Sequence, residues 1–153
     1  MHRTHKLISF AAAALIIGGI AAPALARRQS AFSGIAQQPS QATCFSNGNG
    51  VITNNCSGPP RTFCVPLIYD WNAFGNWANV TVTALAPAGA LMNCQTTAVG
   101  KQGQFGSWSG DVNVPMNGTW QDVVVNGGGI ADGGAVYTCC NIPTGGSISV
   151  LNY

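Results

Sequence analysis

The sequence predicts an all-β protein, a single antiparallel β-sandwich or barrel-like domain that is cross-linked by disulfides. Short runs of β-branched and aromatic residues alternate with Gly, Pro and Asn, which is typical of sandwiches and barrels. No stretch carries a long apolar pattern of period 3.6, and strong helix formers are scarce. Six cysteines, an even number, all lie between residues 44 and 140.

Residues 1–26 have the pattern of a secretory signal peptide. A basic start with Lys6 precedes the apolar run Leu7–Ala21, and small residues end the segment at Ala26. We therefore expect a secreted protein, extracellular or periplasmic. The apolar run is short and contains glycines, so we predict no integral membrane anchor. Residues 27–43 are expected to be flexible, with at most an edge strand through Ala31–Ile35, and residues 44–153 to form the disulfide-stabilised domain.

Eight strands are predicted in the domain. They share β-rich composition and are bounded by turn residues such as Pro143-Thr144-Gly145-Gly146. Their predicted bounds are Gly50–Asn54, Thr62–Ile68, Trp77–Leu85, Leu91–Val99, Phe105–Val114, Thr119–Asn126, Ala135–Ile142 and Ser147–Tyr153. Alternation is clearest in Val80-Thr81-Val82-Thr83, where the valines face one way and the threonines the other.

The strand Ala135–Ile142 contains two adjacent cysteines, Cys139 and Cys140. Successive strand side chains point to opposite faces. We therefore expect the two thiols to bond to two different cysteines, one through the core and one across the outer surface.

The six cysteines are interpreted as three disulfides, because the chain is predicted to be exported. A zinc site is the alternative, but no histidine follows residue 26 and spaced CxxC pairs are absent. The six residues are Cys44, Cys56, Cys64, Cys94, Cys139 and Cys140.

Several short motifs occur in a fixed order along the domain. They are Cys64-Val65-Pro66, Asp70, Val80-x-Val82, Cys94, Cys140-Asn141-Ile142-Pro143, Ser147-Ile148 and Tyr153. This order resembles a loose class of small, uncharacterised exported bacterial β proteins that contain cysteines. The resemblance implies export and a β-rich fold, and it implies no activity.

The same resemblance implies a disulfide pairing, because members with four cysteines lack counterparts of Cys56 and Cys139. If those two arrived together, they would pair with each other, leaving Cys94 with Cys140 and Cys44 with Cys64. The alternative is Cys44 with Cys56, which would close a hairpin around Asn47–Gly50.

The net charge and the absence of certain catalytic residue types exclude several functions. After residue 26 four cations balance four aspartates, so there is no basic field for nucleic acid. Without histidine or glutamate, the chain cannot build Ser-His-Asp or Cys-His catalysis or a histidine-ligated metal centre, and a glycosidase would have to use two of the four scattered aspartates. We predict no enzyme activity, no catalytic residue and no cofactor.

Calcium is the one metal with candidate ligands, because carboxylate and amide oxygens of loops can bind it without a fixed motif. Asp111, Asn113, Asn126 and Asp132 could supply such oxygens. Since the same residues are ordinary turn formers, we predict no metal site.

A stretch with four aromatic residues among nine is the main candidate binding site. Large rings among Gly and Asn suit sugar recognition, with a flat face for the ring and polar groups for its hydroxyls. The alternative is that the rings cap the sandwich core. The predicted binding residues are Tyr69, Asp70, Trp71, Asn72, Phe74, Asn76 and Trp77, with Trp108 in a second Gly/Ser-rich segment.

Two classes of function remain for this chain. The first is a secreted, non-catalytic binding module that recognises carbohydrate or another surface polymer. The second is a structural or interaction component of a matrix, envelope or appendage, held by contacts with surface proteins. Trp120, which precedes Val123-Val124-Val125 in a predicted strand, is interpreted as core.

Overall fold

A computed structural model describes residues 27–68, 79–100, 105–127 and 134–153. Within these ranges, twelve strands and two short 3-10 helices, Ala31–Ser33 and Pro39–Cys44, form the fold. The strands are β1 (Arg28–Ser30), β2 (Ile35–Ala36), β3 (Phe45–Gly48), β4 (Val51–Asn54), β5 (Arg61–Leu67), β6 (Val80–Leu85), β7 (Asn93–Val99), β8 (Phe105–Trp108), β9 (Val112–Asn113), β10 (Trp120–Val125), β11 (Ala135–Ile142) and β12 (Ser147–Asn152). No helix in the described ranges has the length and apolar character needed to cross a membrane.

The strands form two antiparallel sheets, as the sequence predicted. Sheet I has the order β10-β6-β12-β4-β3, with β1 also paired to β12. Sheet II has the order β2-β5-β11-β7-β8, with β9 also paired to β7. The strand with the adjacent cysteines, β11, is the central strand of sheet II.

The core lies between the sheets and is built by alternation along each strand. In β6, Val80, Val82 and Ala84 are fully buried while the intervening threonines are partly exposed. The same alternation turns Val136, Cys140 and Ile142 of β11 inward. Burying β-branched side chains on one face of each sheet is the main source of stability for such a domain.

Residues 27–43, for which the sequence predicted a flexible segment, pair with both sheets. Arg28–Ser30 align with Val150–Asn152 of β12, and Ile35 lies opposite Cys64 of β5. Ala31, between these strands, is fully buried. The segment therefore spans the edge of the sandwich and connects the two sheets.

The predicted strand Phe105–Val114 is divided into β8 and β9. Gly110 between them has φ of +79°, a conformation that favours glycine and interrupts strand pairing. The hairpin β3–β4 contains the turn expected around Asn47–Gly50, since Asn49 and Gly50 both have positive φ and Gly48 pairs with Val51. Such a two-residue turn matches the twist of a hairpin.

All six cysteines are paired, so the prediction of three disulfides is confirmed. Cys94–Cys140 forms as the resemblance implied, and Cys44–Cys56 forms as the alternative proposed. The implied pairs Cys56–Cys139 and Cys44–Cys64 are wrong. Cys139 bonds to Cys64 instead, because the register of β11 with β5 places these two residues directly opposite each other.

The adjacent cysteines bond to two different strands on opposite faces, as expected. Cys140 and Cys94 belong to the core cluster, whereas Cys139 and Cys64 lie on the outer face of sheet II. One bond thus lies in the core and one on the outer surface, as expected, although neither passes between the two sheets. Both link β11 to its neighbours within sheet II.

Asn54 fixes the turn between β11 and β12 at the end of sheet I. Its fully buried side chain donates from Nδ2 to the carbonyl of Ile142 at 2.8 Å and accepts from the N–H of Cys56 at 3.0 Å. Its backbone carbonyl accepts from Gly145, which has φ of +76°. The predicted turn Pro143–Gly146 is present, with the N–H of Gly146 donating to Pro143.

Candidate functional site: the outer face of sheet II

The outer face of sheet II carries three rows of side chains that run across the strands. Residues aligned by register share a face in an antiparallel sheet, and the opposite positions of β5, β7 and β11 point into the core. Row one contains Trp108, Thr97, Tyr137 and Pro66. Row two contains Gln95, Cys139, Cys64 and Ile35. Row three contains Asn113, Asn93, Asn141 and Thr62.

Trp108 is the most prominent side chain of row one. It lies on β8 opposite Thr97 and remains 54% exposed. Its indole Nε1 donates a hydrogen bond to Oε1 of Gln95, on the neighbouring strand. This bond ties the polar edge of the ring to the sheet while more than half of the side chain stays open to solvent.

The backbone next to Trp108 is held by Ser109. The N–H of Ser109 donates to the carbonyl of Thr96 at 3.0 Å, and the N–H of Thr96 donates to Oγ of Ser109 at 2.8 Å. These two bonds extend the pairing of β8 beyond its last strand residue, before Gly110 turns the chain away. The position of Trp108 is therefore fixed by the sheet, although it lies on an edge strand.

Row three is a ladder of hydrogen-bonded amides. Oγ1 of Thr62 donates to Oδ1 of Asn141 at 2.6 Å, and Nδ2 of Asn141 donates to Oδ1 of Asn93 at 2.8 Å. No hydrogen bond within the described residues uses the Nδ2 group of Asn93. The ladder therefore presents oriented donors at the surface without burying them.

Row two contains the Cys64–Cys139 disulfide. These cysteines are only 9% and 8% exposed although they lie on the outer face, so neighbouring side chains cover most of their surface. Gln95 flanks the bond on one side and Ile35 on the other. The bond joins two strands of the face and restricts movement between them.

None of the twelve residues in the three rows is charged. Of the three described cations, Arg61 lies at an inward position of β5 and Arg28 lies on β1 in sheet I. The third, Arg27, donates from Nη1 to the carbonyl of Ile68, beyond the end of β5 and outside the three rows. Exposed Asp111 directly precedes β9. This face therefore provides ring and amide contacts, and it lacks the guanidinium or ammonium groups that bind carboxylate, sulfate or phosphate.

The aromatic stretch Tyr69–Trp77 lies outside the described residues, so its predicted role as a binding site stays a prediction. The residue before it, Ile68, is fixed. Its N–H donates to the hydroxyl of Tyr153 at 2.9 Å, and its carbonyl accepts from that hydroxyl at 3.2 Å and from Nη1 of Arg27 at 3.1 Å. The N- and C-terminal ends of the described chain thus hold the point at which the stretch leaves sheet II.

Row one is close to that end of the sandwich. Strand β5 ends at Leu67, which lies opposite Val136, while Ala135 lies opposite Val99. Thr97 and Tyr137 of row one are two residues from Val99 and Ala135. The described residues Ile68, Gly100 and Gly134, which flank segments 69–78, 101–104 and 128–133 on the side of sheet II, therefore lie within a few residues of row one. The other ends of the first and last of these segments, Asn79 and Gly127, adjoin β6 and β10 of sheet I.

Trp120 is not a core residue, so that interpretation was wrong. It is 43% exposed on the outer face of sheet I, opposite Leu85. The sequence contained the signal: Trp120, Asp122 and Val124 alternate with buried Val123 and Val125. An aspartate at a period-2 position indicates the solvent face.

The sequence reasoning identified Trp108 but missed its neighbours on the face. Asn93, Gln95 and Thr97 alternate with buried Cys94, Thr96 and Ala98 in β7. This polar face could have been predicted from the alternation. The pairing of Trp108 with Thr97 depends on register and could not.

A second surface feature is an apolar groove of about 500 Å³ between the edge strands β2 and β3. The T-shaped pair Phe45–Phe63, with ring centroids 4.9 Å apart, forms part of its wall. Phe32 and Ile35 line it and are 67% and 65% exposed. These two edges are unpaired in the described structure.

Within the described ranges, no three His, Cys, Asp or Glu side chains are close enough together to hold a metal ion. Of the candidate calcium ligands, Asp132 lies outside these ranges.

No protein-family model matches this chain, and no curated protein sequence matches it. Among solved structures, it is similar to the C-terminal CBM6 of LamC, a marine laminarinase from Zobellia galactanivorans. The TM-score is 0.47 with 14% sequence identity, over 83% of this chain and 97% of that chain. A likeness of this degree does not indicate what this chain binds.

Proposed function

We propose that the chain is a secreted, non-catalytic carbohydrate-binding module whose ligand lies on the outer face of sheet II. The observation that carries the proposal is Trp108, more than half exposed and tied by its indole N–H to Gln95 on an uncharged face. Three disulfides support export, since such bonds persist in oxidising compartments.

The chemistry of the face suits a sugar ring. A pyranose has an apolar side formed by C–H groups and a rim of hydroxyls. An exposed indole provides a large apolar surface at low entropic cost because its position is already fixed. Gln95 and Asn93 provide amide groups that can exchange hydrogen bonds with hydroxyls. Trp71 and Trp77 are proposed to add further rings next to row one.

Retention on insoluble polysaccharides, competed by soluble sugar, tests the proposed function. We expect Trp108→Ala to weaken binding by about 30-fold, which corresponds to about 2 kcal/mol for an anchoring ring. Trp120→Ala is the matched control, because it removes a comparably exposed indole from the opposite sheet. Equal retention of both variants and the parent, or no retention of the parent on any polysaccharide, would contradict the proposal.

The contribution of the aromatic stretch is tested separately with Trp71→Ala and Trp77→Ala. If these rings contact the ligand, binding should weaken by about 2 kcal/mol or more while the free energy of unfolding changes little. If they cap the core, the free energy of unfolding should instead fall by about 3–5 kcal/mol. Measuring both quantities on the same two variants distinguishes these roles.

The alternative function is a structural or interaction component held by protein contacts. The groove beside Phe32 and Ile35 favours it, because exposed apolar side chains next to unpaired strand edges are typical of contact surfaces. Concentration-dependent self-association, or co-purification with surface filaments, that is lost in Phe32→Ser would support this function. A monomer at all concentrations that binds polysaccharide would argue against it.

A further inference from the structure

We infer that the ligand is a neutral, linear polysaccharide whose chain crosses the strands of sheet II along row one and contacts Trp108 and Tyr137 with different sugar units. This inference rests on the proposed function and specifies the ligand class and its direction.

Row one provides two rings on one line. Trp108 lies on β8 and Tyr137 on β11, with β7 between them. Strands are about 4.8 Å apart, so the two side chains start about 10 Å apart. One pyranose advances an extended glycan by about half of that distance. A chain along row one can therefore place one unit on Trp108 and the second unit beyond it on Tyr137.

The residues between the two rings leave room for the intervening unit. Thr97 separates Trp108 from Tyr137 and has a short side chain. Gln95 lies two residues further along β7, where its Oε1 accepts from Trp108 and its Nε2 remains a donor. The intervening sugar would thus lie over a small side chain, with a donor at its edge.

The three rows offer no cationic partner to an acidic polymer. None of their twelve residues is charged, and exposed Asp111 next to β9 would repel carboxylates. Arg27, a described cation near the end of β5, donates from Nη1 to the carbonyl of Ile68 at 3.1 Å. An acidic polysaccharide on row one would therefore lose water from its charged groups without gaining a cationic partner within the rows.

Frontal affinity chromatography of the mature chain on columns of immobilised polysaccharide tests the charge prediction, because its readout does not depend on the net charge of the protein. The neutral probes are hydroxyethylcellulose, mixed-linkage β-glucan, xylan and galactomannan, and the acidic probes are alginate and polygalacturonate. We expect retardation by at least one neutral probe and none by the acidic probes. Preference for an acidic probe would overturn the inference while leaving the proposed function intact. No retardation by any probe would overturn both.

Calorimetry with oligosaccharides of one to six units, prepared from the best neutral probe, tests the direction and length. We expect affinity to rise at least tenfold between two and three units, because three units are needed to reach both rings. Tyr137→Ala should abolish this step, whereas Tyr137→Phe, which keeps the ring, should retain it. Trp108→Ala should weaken binding at every length.

Two outcomes would refute the path of the polysaccharide along row one. An affinity that does not change with length, or a Tyr137→Ala variant that is folded by circular dichroism and keeps the step, would show that the chain does not follow row one. Because Trp108→Ala is measured in the same series, binding that depends on Trp108 alone would retain the proposed function and refute only the path along row one.

Discussion

The three disulfides should differ in their contribution to stability, and replacing each pair by alanines measures it. The bond Cys64–Cys139 joins residues 75 apart, Cys94–Cys140 joins residues 46 apart and Cys44–Cys56 joins residues 12 apart. With the loop length taken as this separation, chain entropy gives about 4.5, 4.0 and 2.8 kcal/mol respectively. By loop length alone, the outer bond of sheet II would be the most stabilising.

Packing should reverse the order of the first two bonds. Cys94 and Cys140 lie in the core cluster and are almost completely inaccessible, so replacing both by alanine also leaves a cavity. That cavity should cost a further ~1–2 kcal/mol. We therefore expect losses of about 5–6 kcal/mol for Cys94→Ala/Cys140→Ala, about 4–5 for Cys64→Ala/Cys139→Ala and about 3 for Cys44→Ala/Cys56→Ala.

Urea denaturation under non-reducing conditions, followed by tryptophan fluorescence, provides the measurement. Each double variant should also unfold with a larger m value, because the unfolded chain loses a cross-link and becomes less compact. Since a domain of this size has a net stability of about 5–15 kcal/mol, all variants are compared in a stabilising osmolyte that keeps the core variant folded at zero urea. Two results would contradict this order of stabilities. One is a Cys44→Ala/Cys56→Ala variant that is the least stable of the three, and the other is a Cys64→Ala/Cys139→Ala variant that is less stable than the Cys94→Ala/Cys140→Ala variant by more than about 1 kcal/mol.

Three further predictions concern a buried amide, a glycine in a turn and the mature protein as a whole. Asn54→Ala should lower the free energy of unfolding by about 2–3 kcal/mol because it leaves the buried Ile142 carbonyl and the Cys56 N–H without their side-chain partner. Thr53→Ala removes one partly buried hydrogen bond to the Ser147 hydroxyl and should lower it by about 1 kcal/mol. Urea unfolding of both variants measures the difference. Gly145→Ala should destabilise the protein by about 1–2 kcal/mol, since the φ of Gly145 is positive. Gly48→Ala should change thermal stability little, because an added Cβ would meet nothing within 4 Å. Equal melting temperatures of the two variants would contradict this. The mature protein should begin near Arg27 and take up no alkyl group under denaturing, non-reducing conditions, as intact mass measures; a single alkylated thiol would contradict three intact bonds.

The alternation and turn residues in the sequence were sufficient to predict most of the strands, but they did not predict which strands pair. The period-2 alternation of Val80–Thr83 and the Pro143–Gly146 turn are properties of neighbouring residues, and both were found in the sequence. The partner of Cys139 depends on the register between β11 and β5, which are separated by about half of the chain. No local signal specifies that register, so the pair Cys56–Cys139 was predicted wrongly.

The short edge strands were not predicted with their bounds, for a related reason. An edge strand was expected through Ala31–Ile35, but the structure has a 3-10 helix at Ala31–Ser33 and β2 at Ile35–Ala36. Strand β2 has two residues, and β3 contains Asn47 and Gly48, which have low β propensity. Their conformation is imposed by pairing with β5 and β4, and by the Cys44–Cys56 bond, which starts at the last residue of the 3-10 helix Pro39–Cys44. Tertiary contacts therefore determine these strands, whereas intrinsic preference determines β6 and β10.

The candidate site was predicted in part, because exposure of a single ring depends on both alternation and register. Trp108 was selected from its Gly/Ser-rich surroundings, while Trp120 was assigned to the core from the valines that follow it. In the structure both rings are on outer faces, but their neighbours differ. Trp108 lies in a row with Thr97 and Tyr137, whereas Trp120 lies opposite Leu85 and two residues before Asp122, which accepts from Thr83 at 2.6 Å.

The position of the disulfides links the fold to the proposed function. Two of the three bonds join β11 to its neighbours within the sheet that carries Trp108 and Tyr137. Strands β5, β11 and β7 are thereby cross-linked through side chains on both faces, in addition to their backbone hydrogen bonds. A cross-linked sheet cannot shear easily, so the spacing of side chains along row one is set before a ligand arrives. In the proposed function, binding to such a surface would lose little conformational entropy of the protein, so that a few ring and amide contacts on an uncharged face would suffice to retain a polysaccharide.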